Sequence, residues 1–187
     1  MTITESHPTT PTATASSERA DLLETLRKHR DFLRFTVRGL TDEQAGLTPT
    51  ASELCLGGLI KHVTAVERKW ADYIVNGPAE PTFDWATVDW SNPPEEIRAR
   101  MADFAMQPGE TLAGVLAAYD EAAAVTDGLV ATVDLDARHP LPKVPWFEPG
   151  GSWSARRVFL HVIAESSQHA GHADIIRETI DGQKTMG

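Results

Sequence analysis

Apolar residues recur along this chain with the 3.6-residue period of helices that bury one face. The first stripe is Leu22, Leu23, Leu26, Leu33 and Val37, with Arg and Glu in the gaps. Ser17 is its expected N-cap and Gly39 its stop. Thr41 to Gln44 reads as a capping box for a short turn of helix. Ser52 is placed to cap a second long helix that carries Leu56, Leu59, Ile60, Val63, Val66, Trp70 and Ile74 and stops at Gly77-Pro78, after Asn76. A third stripe begins near Glu110 or Thr111 and runs through Leu112, Val115, Tyr119, Ala122, Thr126 and Val130. The last helix, capped by Ser152 or Ser154, extends to Ile180 and ends at Asp181-Gly182.

Two stretches lack this period. Residues 77–94 and 133–152 are rich in Pro and Gly and carry Trp85 and Trp90, then Trp146 and Phe147. They read as long loops, which in compact domains often bind ligands. A short helix is expected after Pro94. No segment alternates like an amphipathic strand over more than a few residues. The expected fold is all-α: a four-helix bundle with mixed short and long connections. It forms one domain over residues 17–187, preceded by a disordered tail at 1–16 rich in Thr, Pro, Ser and Ala.

Composition narrows the partners. A net charge of -10, with no offsetting Lys/Arg cluster, disfavours nucleic acid and anionic membrane surfaces. The N-terminus lacks a basic start and a signal-peptide apolar core, and no apolar run reaches the roughly 18 residues of a membrane span. Cys55 is the single cysteine, so no internal disulfide forms and a reducing cytoplasm is the expected compartment. Within Leu54-Cys55-Leu56 it reads as a small packed side chain.

The chemistry concentrates in the last helix. His161, Glu165, His169 and His172 stand at i, i+4, i+8 and i+11, within an arc of about 80° on one face. They cannot all hold one ion, because His161 and His169 lie about 12 Å apart along the axis. The chelating pairs open to this helix are His161/Glu165, Glu165/His169 and His169/His172. A third ligand must come from elsewhere, and the second helix offers His62. Gly58, one turn before it, would leave room for an ion or a thiol. Three protein ligands leave positions for water or substrate, as catalytic rather than structural sites do. The competing reading is structural: His62 as a hydrogen-bonded core residue and the row as a solvated stripe. The flanking Val162, Ile163, Ala170, Ala173 and Ile176 turn part of the row toward the bundle. Arg177, Glu178 and Lys184 read as exposed charges.

Two blocks together carry a resemblance. Leu56-Gly-Gly-Leu-Ile-Lys-His62 through Trp70, and His161 through the His169-Ala-Gly-His-Ala-Asp-Ile-Ile-Arg-Glu178 run to Gly182, resemble the DinB-like superfamily. More narrowly they are similar to its actinobacterial mini-circle-protein branch, over residues 18 to 183 or so. The resemblance implies a four-helix bundle whose metal is bound by His62, Glu165 and His169. Many relatives carry histidine at the first last-helix position, and the carboxylate of Glu165 is similar to the mycothiol-dependent isomerase and transferase members. His172 falls where many relatives carry glutamine and is expected beside the site, contacting the thiol cofactor. His161 lies one turn too early for the pattern.

The activity implied is transfer of a low-molecular-weight thiol, mycothiol in actinobacteria, using one divalent ion: zinc, with nickel or iron as alternatives. A thiol of pKa about 8.5 is mostly protonated at neutral pH, and a bound cation favours its deprotonation. The electrophile is expected under the Trp85–Trp90 and Trp146–Phe147 loops. A homodimer is compatible with the family. A second function class is a non-enzymatic metal-binding stress-response or ligand-binding bundle, which predicts metal uptake without thiol turnover. A third, a ferritin-like di-iron site, requires Glu-x-x-His on two helices. The chain has no Glu-x-x-His, and Glu67 follows His62 by five residues.

Overall fold

Each of the four stripes becomes a long helix in the computed structural model, which describes residues 13–79 and 83–185. In chain order the helices are α1 (Ala13–Phe35), α2 (Asp42–Ala45), α3 (Leu56–Asn76), α4 (Glu95–Ala102), α5 (Leu112–Thr132) and α6 (Ala155–Asp181). Two three-residue strands, β1 (Arg138–Pro140) and β2 (Ser152–Ser154), pair antiparallel. Residues 1–12 of the expected tail lie outside the described residues. α1 begins at Ala13, so the expected Ser17 cap falls inside the helix.

The four long helices close a ring. α1 packs on α6 and α5, and α3 packs on α5 and α6. Their ends are set by side chains able to accept from free first-turn N–H groups. Thr111 Oγ1 accepts from Gly114, and Ser154 Oγ accepts from Arg157. Thr41 and Gln44 form the expected capping box, and Asp42 also accepts from the Leu112 N–H at 2.7 Å. The cap of α3 is Cys55, three residues after the expected Ser52; its Sγ accepts from Gly58 N at 3.4 Å. Cys55 is buried, as expected, but it caps as well as packs.

Two apolar clusters fill the bundle. One gathers Leu33, Val37, Leu59, Ile60, Val63, Tyr119 and Ile176. The other gathers Leu22, Leu26, Trp70, Val130, Phe159 and Val162. Between them in sequence on α1 and α3 sit Arg30 and Glu67, only 1% and 0% exposed, which pair through both guanidinium and carboxylate atoms. Arg30 also holds Asp127 of α5 at 2.7 Å. Glu67 is therefore the buried counter-ion of Arg30.

Arg177 overturns its expected exposure: it is 4% exposed. Its Nη1 donates to the carbonyls of Thr36 (2.8 Å) and Arg38 (3.0 Å), and it pairs with Asp181. The carbonyls after α1 have no helical partners, and a guanidinium from α6 satisfies them. Glu178 and Lys184 do form a solvent-exposed pair.

The β1–β2 ribbon was not expected from the sequence. It pairs His139 with Trp153 and gathers the base of the 133–152 loop. Tyr73 Oη donates to the His139 carbonyl at 2.6 Å, fastening the ribbon to the end of α3.

Candidate functional site

His62 and the Glu165/His169 pair meet where α3 packs on α6. One ligand-competent atom from each lies within 4.8 Å of the other two, the one such group of three among the described residues. The helices dictate this. His62 is on the α3 face that also presents Leu59 and Val66, and Glu165 and His169 are one turn apart on α6.

Contacts among these side chains fix their directions. Glu165 lies between two imidazoles, with Oε1 3.5 Å from His161 Nε2 and Oε2 3.4 Å from His169 Nε2. His169 turns its other ring nitrogen to His172, Nδ1 to Nδ1 at 3.4 Å. Its Nε2 is thereby left on the Glu165 side. His62 meets His169 edge-on at 4.8 Å between ring centroids. Its own face is stacked by Phe104 at 4.0 Å and 23°.

The electrostatics suit a cation ligand set. Burial, reinforced by repulsion from His169, pushes His62 down to about 4, so its imidazole is neutral with a free lone pair at pH 7. Burial likewise holds His161 below the usual histidine range. The hydrogen bond from His169 holds the Glu165 carboxyl below the usual carboxylate range, against an opposing desolvation effect. Two imidazoles and one carboxylate are the donor set of many open divalent sites. Two ligands sharing a tetrahedral ion lie about 3.3 Å apart, which the Glu165–His169 edge matches, and the rest of the triad closes with shifts of about 1 Å.

The expected residues are used unequally. His62, Glu165 and His169 converge. His172 stays exposed beside His169, and His161 sits on the far side of Glu165 with its ring edge-on to Trp70 and Trp153. Gly58 does not open space for an ion or thiol. A Cβ there would fall on the Phe104 carbonyl, well inside contact distance, and 2.8 Å from Ala105 N. Gly58 instead admits the 102–106 backbone, which Lys61 Nζ holds by donating to the Ala105 carbonyl at 2.8 Å. Phe104 was missed from the sequence because it lies in an aperiodic turn after α4.

His62 and Glu165 open on a cavity of about 250 Å³. Its wall includes Val66, Trp70, Trp146 and Phe147, with Lys69 and Arg100 among its polar residues. The 133–152 loop thus supplies aromatic wall as expected. The other loop lines the cavity through Gly77, Pro78 and Ala79 rather than through its tryptophans: Trp85 packs on Trp146 at 4.7 Å, and Trp90 is 67% exposed and does not line the cavity.

Fold and site together define a helical bundle with a three-ligand candidate metal centre facing an aromatic, small-molecule cavity. The chain belongs to the mycothiol-S-transferase family, whose sequence model matches residues 21–182. The family name points to a transferase acting on mycothiol, a small-molecule thiol. The fold is similar to the crystal structure of a conserved protein from Enterococcus faecalis, with a TM-score of 0.61 at 15% identity, over 88% of this chain and 97% of that one. That likeness concerns the fold alone, and the helical bundle agrees with the all-α expectation. No curated protein matches the sequence significantly. Among the described residues no helix is long and apolar enough to cross a membrane.

Proposed function

We propose that this protein is a divalent-metal-dependent thiol S-transferase that joins mycothiol, or a similar low-molecular-weight thiol, to a small electrophile. The observation that carries this reading is the His62–Glu165–His169 triad at the edge of an aromatic cavity, in a chain of this family. Those three residues would hold the ion, with zinc the best match to two imidazoles and a carboxylate, and nickel or iron as alternatives. Once bound, the ion supplies the Lewis acidity that makes thiol deprotonation favourable near neutral pH.

The chain's own residues do the rest. Low basicity keeps His62 ready to bind a cation rather than a proton. His161 and His169 aim the two oxygens of Glu165. Phe104 fixes the plane of the His62 ring. Trp70, Trp146 and Phe147 keep water from the reacting sulfur and seat an apolar group. In the overall transfer the thiol gives up its proton, sulfur bonds to the electrophilic carbon, and the electron pair of the broken bond leaves with the departing or ring-opened atom. His172, exposed beside His169, would touch the thiol's outer portion.

Elemental analysis and thiol-conjugation assays on the wild type, His62→Ala and His169→Ala test this. About one divalent ion per chain in the wild type, lost with conjugation in both variants, is expected. Conjugation at wild-type rate in a metal-free variant would remove the metal from the reading. Full metal loading without turnover across epoxides, haloalkanes and enals would favour the non-enzymatic alternative.

A further inference from the structure

Two cavities meet at the loops. The one beside the triad, of about 250 Å³, is lined by Trp146. A second, of about 480 Å³, is lined by Phe83, Trp85, Leu141 and Val144. Pro142 and Phe147 line both. The rings of Trp85 and Trp146 meet edge to face, with 4.7 Å between centroids and 77° between planes. With one ring on each side, this pair forms part of the wall that divides the cavities.

The two rings are held differently. Trp85 opens a single 3₁₀ turn, Trp85–Thr87, capped by Asp84. The Asp84 side chain accepts from Ala86 N at 2.9 Å, and its carbonyl accepts from Thr87 N at 3.1 Å. Phe83 packs against the Trp85 ring at 4.9 Å. The buried indole N–H of Trp85 has no hydrogen-bond partner among the described residues. Ring contacts, and not a hydrogen bond, therefore seat this side chain. Trp146 directly follows Pro145 and is 53% exposed. Besides Trp85, its ring meets the Arg100 guanidinium at 5.9 Å and its neighbour Phe147 at 6.4 Å. An edge-to-face pair and an exposed cation–π contact together favour one ring position by about tenfold over a swung-out one.

Cavity size gives the consequence. A dry cavity of about 150 Å³ holds benzene. The cavity of about 250 Å³ therefore suits one aromatic ring with a short chain, and a ligand with a second ring needs the neighbouring space.

We infer that Trp85 is a positioning residue for ligand size: it braces Trp146, keeps the two cavities apart, and limits the apolar part of the substrate to one ring or a short alkyl chain. The word substrate rests on the transferase reading; the partition itself does not.

Calorimetric titration of the purified full chain with two unreactive, neutral amides tests the partition. One is 3-phenylpropionamide, with a single ring, and the other is 3-(biphenyl-4-yl)propionamide, with two. The wild type is expected to bind the single-ring amide about tenfold more tightly. Trp85→Ala should abolish or reverse that preference while keeping the metal content and melting temperature of the wild type. Trp85→Phe keeps a ring and loses only the unpaired N–H, so it should restore most of the preference. The coupled indole signal in circular dichroism should vanish alike in Trp85→Ala and Trp146→Ala. Equal or tighter binding of the larger amide by the wild type overturns the partition, as does a wild type that binds neither amide. So does a preference that survives in Trp85→Ala, or a Trp85→Phe variant no better than alanine. In the kinetic arm, terminal epoxides carrying the same one-ring and two-ring groups are compared at fixed mycothiol. Trp85→Ala should lower KM for the larger epoxide and leave kcat for the smaller within about twofold. Size-selective amide binding without any conjugation would leave the partition standing and sink the transferase. Metal-dependent conjugation blind to ring number would leave the transferase standing and sink the partition.

Discussion

Replacing Gly58 with alanine should damage the candidate metal centre without touching a candidate ligand. The new Cβ would lie 2.8 Å from Ala105 N and closer still to the Phe104 carbonyl. Ordinary carbon contacts sit at about 3.5–4.0 Å, so the 104–105 backbone, its Phe104 carbonyl above all, must retreat by about 1.5 Å. Overpacking of that kind costs about 1–3 kcal/mol. Alanine's better helix propensity returns at most about 1 kcal/mol, and less in a first turn. The net expectation is a loss of about 1–2 kcal/mol. The retreat also moves Phe104 off the His62 ring, which it stacks at 4.0 Å. Metal affinity is then expected to fall about tenfold, at the lower end for lost ligand support. Two neighbours calibrate the measurement. At Gly57 the new Cβ meets the Ala45 carbonyl at an ordinary 3.4 Å and crowds only the Met106 side chain (Cγ at 2.7 Å), which can swing away, so the cost is within about 1 kcal/mol. At Gly171 it meets nothing within 4 Å, and alanine should stabilise by about 0.5–1 kcal/mol. Urea unfolding of the three metal-free variants, followed by helical circular dichroism, gives the order, and a zinc competition titration gives the affinities. The reasoning fails if Gly58→Ala is as stable as Gly57→Ala, or if it is less stable but binds zinc as the wild type does.

Two further outcomes follow from groups buried in the bundle. Glu67→Ala strands the Arg30 guanidinium and should cost about 3–5 kcal/mol in urea unfolding, whereas Asp127→Asn, at a partner 25% exposed, should cost far less; similar losses would refute a buried pair at the centre of the fold. The metal-free protein should lose stability as pH falls from 6.5 to 4, because unfolded histidines take up protons there while folded His62, held at about 4, does not. His62 contributes at most about 3 kcal/mol to that loss. His161, also held low, adds in the same window, and Glu165, whose folded value is depressed, adds only as pH falls further, through that value. His62→Gln should flatten the curve between pH 6.5 and 4, and a variant curve parallel to the wild type's would show that His62 is not the group responsible.

What could be read from the sequence was whatever repeats with the helix. Four stripes gave four helices, and the same periodicity put His62, Glu165 and His169 on faces that turn inward. The remainder depends on contacts between distant segments. Arg30 and Glu67 look like surface charges until α1 and α3 are seen to place them opposite each other. Arg177 looked exposed because nothing local reveals that the carbonyls of Thr36 and Arg38 end beside it. Strands of three residues are too short for a period of two to show, so the ribbon escaped notice. Gly58 reads in the sequence as room for an ion or a thiol, whereas the backbone of the turn after α4 fills that room.

The ribbon has an evolutionary consequence. All three candidate ligands come from helices, whereas Trp146 and Phe147 come from a loop whose two ends are clamped together by β1 and β2 and anchored to Tyr73. The segment between Leu141 and Gly151, itself closed by a hydrogen bond of 2.8 Å, is a cassette. Its length and residues can drift, or be exchanged in the laboratory, while the clamp returns the chain to the same starting point for α6. New cavity shapes, and so new substrates, are within reach of a single loop, and the three candidate ligands need not move at all.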